Sequence, residues 1–97
     1  MYSDAIPYFE KQAELKPGDA EVFFDLGFVF DELKNYSKAI EYYDKAIVIN
    51  NEYHKAFVNR GNCKIELGLK DEACNDFKRA LELGGTIVKE NIDQYCK

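Results

Sequence analysis

Very few side chains in this sequence could do chemistry, and each lacks the company it would need. His54 is the single histidine of 97 residues, and neither a carboxylate nor a cysteine follows it at i+3 or i+4. An imidazole titrates near neutral pH, but a general base needs a second group to orient it. His54 therefore reads as a surface residue at the start of a helix. Cys63, Cys74 and Cys96 show none of the CxxC or CxxH spacings of zinc and redox sites, so no metal is expected. Gly84-Gly85-Thr86 could receive an anion at a helix start, yet the lysine of a phosphate loop is missing, and a turn is the simpler reading. The 18 acidic residues fall on helix faces where water solvates them. No catalytic residue and no cofactor is expected, and the chain reads as a non-enzyme.

Composition narrows the remaining classes. Against 18 acids stand 13 lysines and arginines, a net charge of −5. Phosphate binding needs a basic face that releases counterions, so a nucleic-acid partner is not expected. No apolar run approaches the roughly 20 residues of a membrane span, and Met1-Tyr2-Ser3-Asp4 does not open a signal peptide. A soluble chain without membrane insertion follows. Hydrophobic residues make up 46% of the sequence, enough for a core in a single small domain.

The elements that must position these residues are helices joined by short loops. Ser3 or Asp4 can cap a first helix reaching Leu15, with Ala5, Ile6, Phe9 and Ala13 on one face and Pro7 near its first turn. Lys16-Pro17-Gly18 stops it, and Asp19 can cap a second helix, Ala20 to Leu33, which is apolar on more than one side. Lys34-Asn35-Tyr36 turns the chain. Ser37 is the expected cap of a third helix ending at Ile49, with Ala39, Ile40, Tyr43, Ala46, Ile47 and Ile49 inward. A fourth helix runs from Tyr53 to Leu67. Asp71 is the expected cap of a fifth, with Ala73, Phe77, Ala80, Leu81 and Leu83 inward, before Gly84-Gly85. A last segment, Thr86 to Tyr95, carries Ile87, Val88, Ile92 and Tyr95 inward and a polar outer side, as the end of a helical array requires.

The segment from Asp19 to Glu52 returns 34 residues later: Phe23 falls on Phe57, Gly27 on Gly61, Leu33 on Leu67, Ala39 on Ala73, Tyr43 on Phe77 and Ala46 on Ala80. Period and residue types resemble the tetratricopeptide repeat (TPR) family, whose 34-residue unit is a helical hairpin. The resemblance covers residues 2 to 85 and implies an all-α, right-handed superhelical array of antiparallel helix hairpins with about six helices. It divides one domain, 1–97, into the second helix of an incomplete repeat (2–18), two full repeats (19–52 and 53–85) and a capping helix (86–97). The first residues thus align with the middle of a unit. An upstream segment with an export signal is compatible with this, so the compartment stays open, with the cytoplasm preferred over a periplasmic or secreted location.

The family lines its concave face with the first helix of each pair. By resemblance the groove here takes Phe24, Asp25 and Phe28 from the second helix and Lys55, Val58, Asn59 and Asn62 from the fourth. Phe24 and Phe28, one turn apart, would form an aromatic strip or else belong to the core. Lys55, Asn59 and Asn62 match positions that hold a peptide carboxylate in some members. Asp25 would repel one, so an apolar or aromatic peptide with basic neighbours is the expected partner. Departures from the family pattern are Lys64, where Phe30 is aromatic, and Arg60, where Leu26 is apolar. Lys64 is expected to loosen the last pair, whereas Arg60 is expected to pair with Asp76 across two helices. Cys74 and Cys96 meet if their helices are antiparallel. Buried thiols are the preferred reading, and a disulfide in an oxidising compartment is the other. The expected function is a scaffold that binds a protein or peptide segment in the groove. The alternatives are a self-associating module, a homodimer through the uncovered first helix, or an accessory segment of a larger protein.

Overall fold

The computed structural model describes residues 2–85 and 89–96, and over them the chain is six helices: α1 (Tyr2–Leu15), α2 (Ala20–Glu32), α3 (Tyr36–Ile49), α4 (His54–Glu66), α5 (Lys70–Glu82) and α6 (Lys89–Tyr95). Capping decides where several of them start. Asp19 accepts a hydrogen bond from the Glu21 amide at 3.0 Å and opens α2. The expected cap of α3, Ser37, is displaced by Asn35, whose Oδ1 accepts from the Lys38 amide at 3.3 Å. Starting earlier brings Tyr36 onto the helix, where its ring packs against the cluster around Ala39 and Tyr43. Asp71 likewise lies inside the first turn of α5, with Leu69 in the cap position. There its carboxylate meets the positive end of the helix dipole without bonding an amide. Because α1 starts at Tyr2, Pro7 falls inside it and removes one helical hydrogen bond.

Three helix ends share one closure. After α2, α4 and α5 a left-handed residue, Lys34 (φ 63°), Gly68 (φ 79°) or Gly84 (φ 99°), turns the backbone. The next amide then bonds a carbonyl five residues back: Asn35 to Phe30, Leu69 to Lys64 and Gly85 to Ala80, at 2.8–2.9 Å. Of the expected inward residues of the last segment, Ile87 and Val88 lie outside the described residues, as does Thr86.

The helices stack in chain order as an all-α, right-handed superhelical array of antiparallel hairpins, α2 on α3 and α4 on α5. α1 lies against α2, α3 against α4, and α6 against α5, giving an extended body of 41 × 24 × 17 Å. Close approach within each hairpin rests on a glycine. A Cβ at Gly27 would stand 2.6 Å from the Tyr43 ring, and one at Gly61 would stand 2.6 Å from Phe77. Leu26, Ala39, Tyr43, Ala46, Ala56, Ala73, Phe77 and Ala80 are fully buried along this seam. Ile49 and Leu81, expected inward, are 40% and 41% exposed. Both sit in a last helical turn, at or past the edge of the buried stripe. No residue of α1 is buried, because only its α2 side is covered.

Candidate functional site

The face expected to form the groove divides into three parts. At its α2 end, Phe24 is half-buried, with its ring stacked on Tyr53 at 5.1 Å and tilted on Tyr43 at 5.6 Å. Phe28 stays 39% exposed and meets the edge of Tyr2 at 6.2 Å. The two phenylalanines therefore do not make one strip: Phe24 serves the core and Phe28 the surface. Asp25 lies between them, its carboxyl raised above the usual range by burial first and then by the like charges of Glu21 and Asp19. Burial and the same three acids raise the Tyr53 hydroxyl, so both groups record one negative patch. Lys55 is exposed on α4.

In the middle, the Asn59 Nδ2 donates to the Tyr43 hydroxyl at 3.5 Å, and that hydroxyl donates to Asp31 Oδ2 at 3.1 Å. Burial raises the Asp31 carboxyl, bonds from Tyr43 and Cys63 oppose it, and Glu32 and Glu66 add to it. Cys63 is fully buried, and burial with Asp31 beside it pushes its thiol far up. This chain was not anticipated, although Tyr43 falling on Phe77 one repeat later gave a signal: a buried tyrosine hydroxyl needs a partner that phenylalanine does not. At the far end, Val58 packs in a cluster with Phe57, Ala80 and Ile92, and Asn62 accepts a bond from Asn91 Nδ2 at 3.0 Å. Of the residues expected to serve a ligand there, Asn62 is thus already engaged by α6.

Behind the groove, Arg60 binds Asp76 through two hydrogen bonds, Nε to Oδ2 at 2.9 Å and Nη2 to Oδ1 at 2.7 Å. It also reaches Asp44 Oδ1 at 2.8 Å and lies over the Phe57 ring at 5.3 Å. Lys64, the residue expected to loosen the last helix pair, places its Nζ 3.0 Å from Asp76. One repeat earlier the same three positions are Leu26, Phe30 and Tyr42, where the Phe30 and Tyr42 rings stack at 5.6 Å. A charged triad stands where the first repeat has an apolar one, and its two cations share Asp76 while Asp44 and Glu72 pair with them from the rim.

Cys74 and Cys96 form a disulfide, Cα to Cα 5.5 Å, in place of the preferred thiols. The antiparallel docking of α6 on α5 brings them together, and Tyr95 stacks on Phe77 at 6.4 Å beside them. Both cysteines line a recess of about 350 Å³ with Lys70, Asp71, Asn75, Lys78 and Tyr95. His54 is half-buried rather than on the surface. Its Nδ1 fills the space a side chain at Gly85 would enter, 3.3 Å from such a Cβ.

Residues 20–53 match the tetratricopeptide repeat family, and residues 54–83 match it again. The chain belongs to the tetratricopeptide repeat family. Among relatives of this TPR array, the heat shock protein STI1 of Saccharomyces cerevisiae is 30% identical over 96% of the chain, which spans 16% of that protein. The first TPR of Spaghetti (RPAP3), solved bound to HSP90 peptide SRMEEVD, is 26% identical with a TM-score of 0.87, covering 96% of this chain and 78% of that one. The chaperone SycD of Yersinia enterocolitica shares the fold at a TM-score of 0.93 and 22% identity, over 98% of this chain and 72% of that one. Among the described residues of the array, no group of three His, Cys, Asp or Glu is placed to hold a metal ion. Among the described residues, no helix is long and apolar enough to cross a membrane.

Proposed function

We propose that this TPR array is a protein-interaction scaffold whose α2–α4 face takes a short peptide with an apolar or aromatic side chain flanked by basic residues. The observation that carries the reading is Asp25: a half-buried carboxylate whose strongest influences are burial and two further acids. An arriving Lys or Arg lowers the free energy of that patch, and Phe28 offers the peptide an exposed ring beside it. Family membership supports the scaffold role, as does a structural neighbour that holds a peptide. That peptide, SRMEEVD, is acidic towards its end. Asp25 argues for the opposite charge here. Lys55 and Asn59 would bond the peptide backbone from α4.

Selection of phage-displayed random peptides on the immobilised chain tests this. Enrichment of sequences pairing Arg or Lys with an aromatic residue, lost on Asp25→Lys, supports the reading. Enrichment of acidic C-termini, or identical selection by both proteins, overturns it. A second reading has its own observation: Tyr8 and Leu15 of α1 are 61% and 63% exposed, and a homodimer through this helix would cover them. Light-scattering mass that rises with concentration, and stays monomeric in Tyr8→Lys, supports that reading.

A further inference from the structure

We propose that the Cys74–Cys96 disulfide is a redox latch that holds α6 as a strap across the α4 end of the groove. Three observations carry it. First, α6 has seven residues and none of them is buried; a helix that short does not stand alone in water, where about 12–15 residues are already marginal. Among the described residues its other attachments include Ile92 against the Phe57–Ala80 cluster, the Tyr95–Phe77 stack and the exposed Asn91–Asn62 bond. The covalent bond, closing a loop with a sequence separation of 22, is the strongest hold on it.

Second, the strap occupies groove atoms. Asn91 takes the side-chain carbonyl of Asn62, and Ile92 packs on the same Phe57–Ala80 cluster that Val58 packs on. Whatever binds along α4 at Asn62 competes with α6 for that side chain.

Third, a reductant has a path to the sulfurs. Cys74 and Cys96 both line the 350 Å³ recess, and Lys70 and Lys78 stand in its walls. Two ammonium groups against the single carboxylate of Asp71 leave the lining net positive, which favours thiolates, both the attacking one and the one that leaves. Cys63, fully buried with its thiol pushed far up, is no competitor for exchange. The step balances with a dithiol as co-reactant. One thiolate of the dithiol attacks a sulfur of the pair, the Cys74–Cys96 bond breaks, and a mixed disulfide forms. The second thiol of the dithiol displaces it. Two electrons and two protons pass to Cys74 and Cys96, which become thiols, and the dithiol leaves as a disulfide. Losing the closed loop raises the open population of α6 on the order of a hundredfold.

Gating of a ligand rests on the groove reading, whereas release of the strap does not, and the test separates them. Amide hydrogen exchange is followed over Asn91–Cys96 in the full chain, oxidised and then reduced with dithiothreitol. In parallel, affinity is measured for a basic aromatic peptide from the selection above. The expected result is roughly hundredfold faster exchange in α6 on reduction, unchanged protection of α2–α5, and tighter peptide binding. Cys74→Ser with Cys96→Ser should reproduce the reduced state; if that variant fails to fold, the reduced native chain still decides. Protection of α6 that survives reduction overturns the latch, whatever the peptide does. Opening of α6 with no change in peptide affinity overturns the gating. In that case Asp25→Lys, measured in the oxidised chain, shows whether the groove reading itself survives.

Discussion

Replacing Asp76 by asparagine isolates the charged triad behind the groove. Asp76 is 4% exposed and accepts two bonds from Arg60, with Lys64 Nζ 3.0 Å away. Asparagine keeps the shape and removes the charge. The cations left behind have side chains only 16% and 12% exposed. Stripping one partner from a buried pair costs about 3–5 kcal/mol, because the remaining charge stays desolvated. Asp44, at 2.8 Å from Arg60, and Glu72, at 3.9 Å from Lys64, offset part of that loss. Both are more than half exposed, and such pairs contribute about 0.2–1 kcal/mol each. The net expectation is a loss of about 2–4 kcal/mol, read as a lower urea midpoint by circular dichroism and a melting point lower by about 10–25 °C. The companion variant combines Arg60→Leu, Lys64→Phe and Asp76→Tyr, which copies the first repeat into the second. Since an apolar triad of matched volume often equals or exceeds a buried ionic one, it should come within about 1 kcal/mol of the parent. An Asp76→Asn loss below about 0.5 kcal/mol, or a triple variant weaker than the single one, would refute the reasoning.

Three further outcomes follow from the geometry. Gly27→Ala and Gly61→Ala should each lose about 1–3 kcal/mol in denaturant titrations, because the new methyl would meet the Tyr43 or Phe77 ring at 2.6 Å; helix propensity alone predicts a gain of roughly 1 kcal/mol. Asn35→Ala should cost about 1 kcal/mol and Ser37→Ala nearly nothing, since Asn35 makes the cap bond of α3. Asp25→Asn should stabilise the chain at neutral pH. The folded Asp25 carboxyl lies above its ordinary 3.8, so native Asp25 loses stability as pH rises through that raised value; the gap between variant and parent should close below about pH 4, and a gap constant from pH 3 to 7 would count against this.

The 34-residue return of small and aromatic residues was enough to read the hairpins, their order and the seam at Gly27 and Gly61. Those features repeat, and repetition is what a single sequence displays. What one repeat does once was harder. Ser37 and Asp71 are good capping types beside equally good or adjacent alternatives, and packing of the partly buried Tyr36 on the Ala39–Tyr43 cluster accompanies the earlier start of α3. Lys64 taken alone is a lost aromatic; only with Asp76 already placed between two helices does it become a second counterion. The engagement of Asn62 by α6 depends on how a unique terminal helix docks, and no register relates that helix to the repeats. The same dependence kept thiol and disulfide apart on sequence grounds, since an approach of 5.5 Å between Cα atoms is a tertiary fact.

The two hairpins share a backbone but differ in what fills one position of it, rings in the first and ions in the second. The two fillings respond to temperature in opposite directions. Contact between apolar surfaces weakens on cooling, while the penalty for dehydrating charges shrinks on heating. In a linear stack, where each unit leans only on its neighbours, the end that frays first therefore depends on temperature. Cold loosens the array from the aromatic hairpin. Heat spares the ionic hairpin longer than its smaller apolar content would suggest.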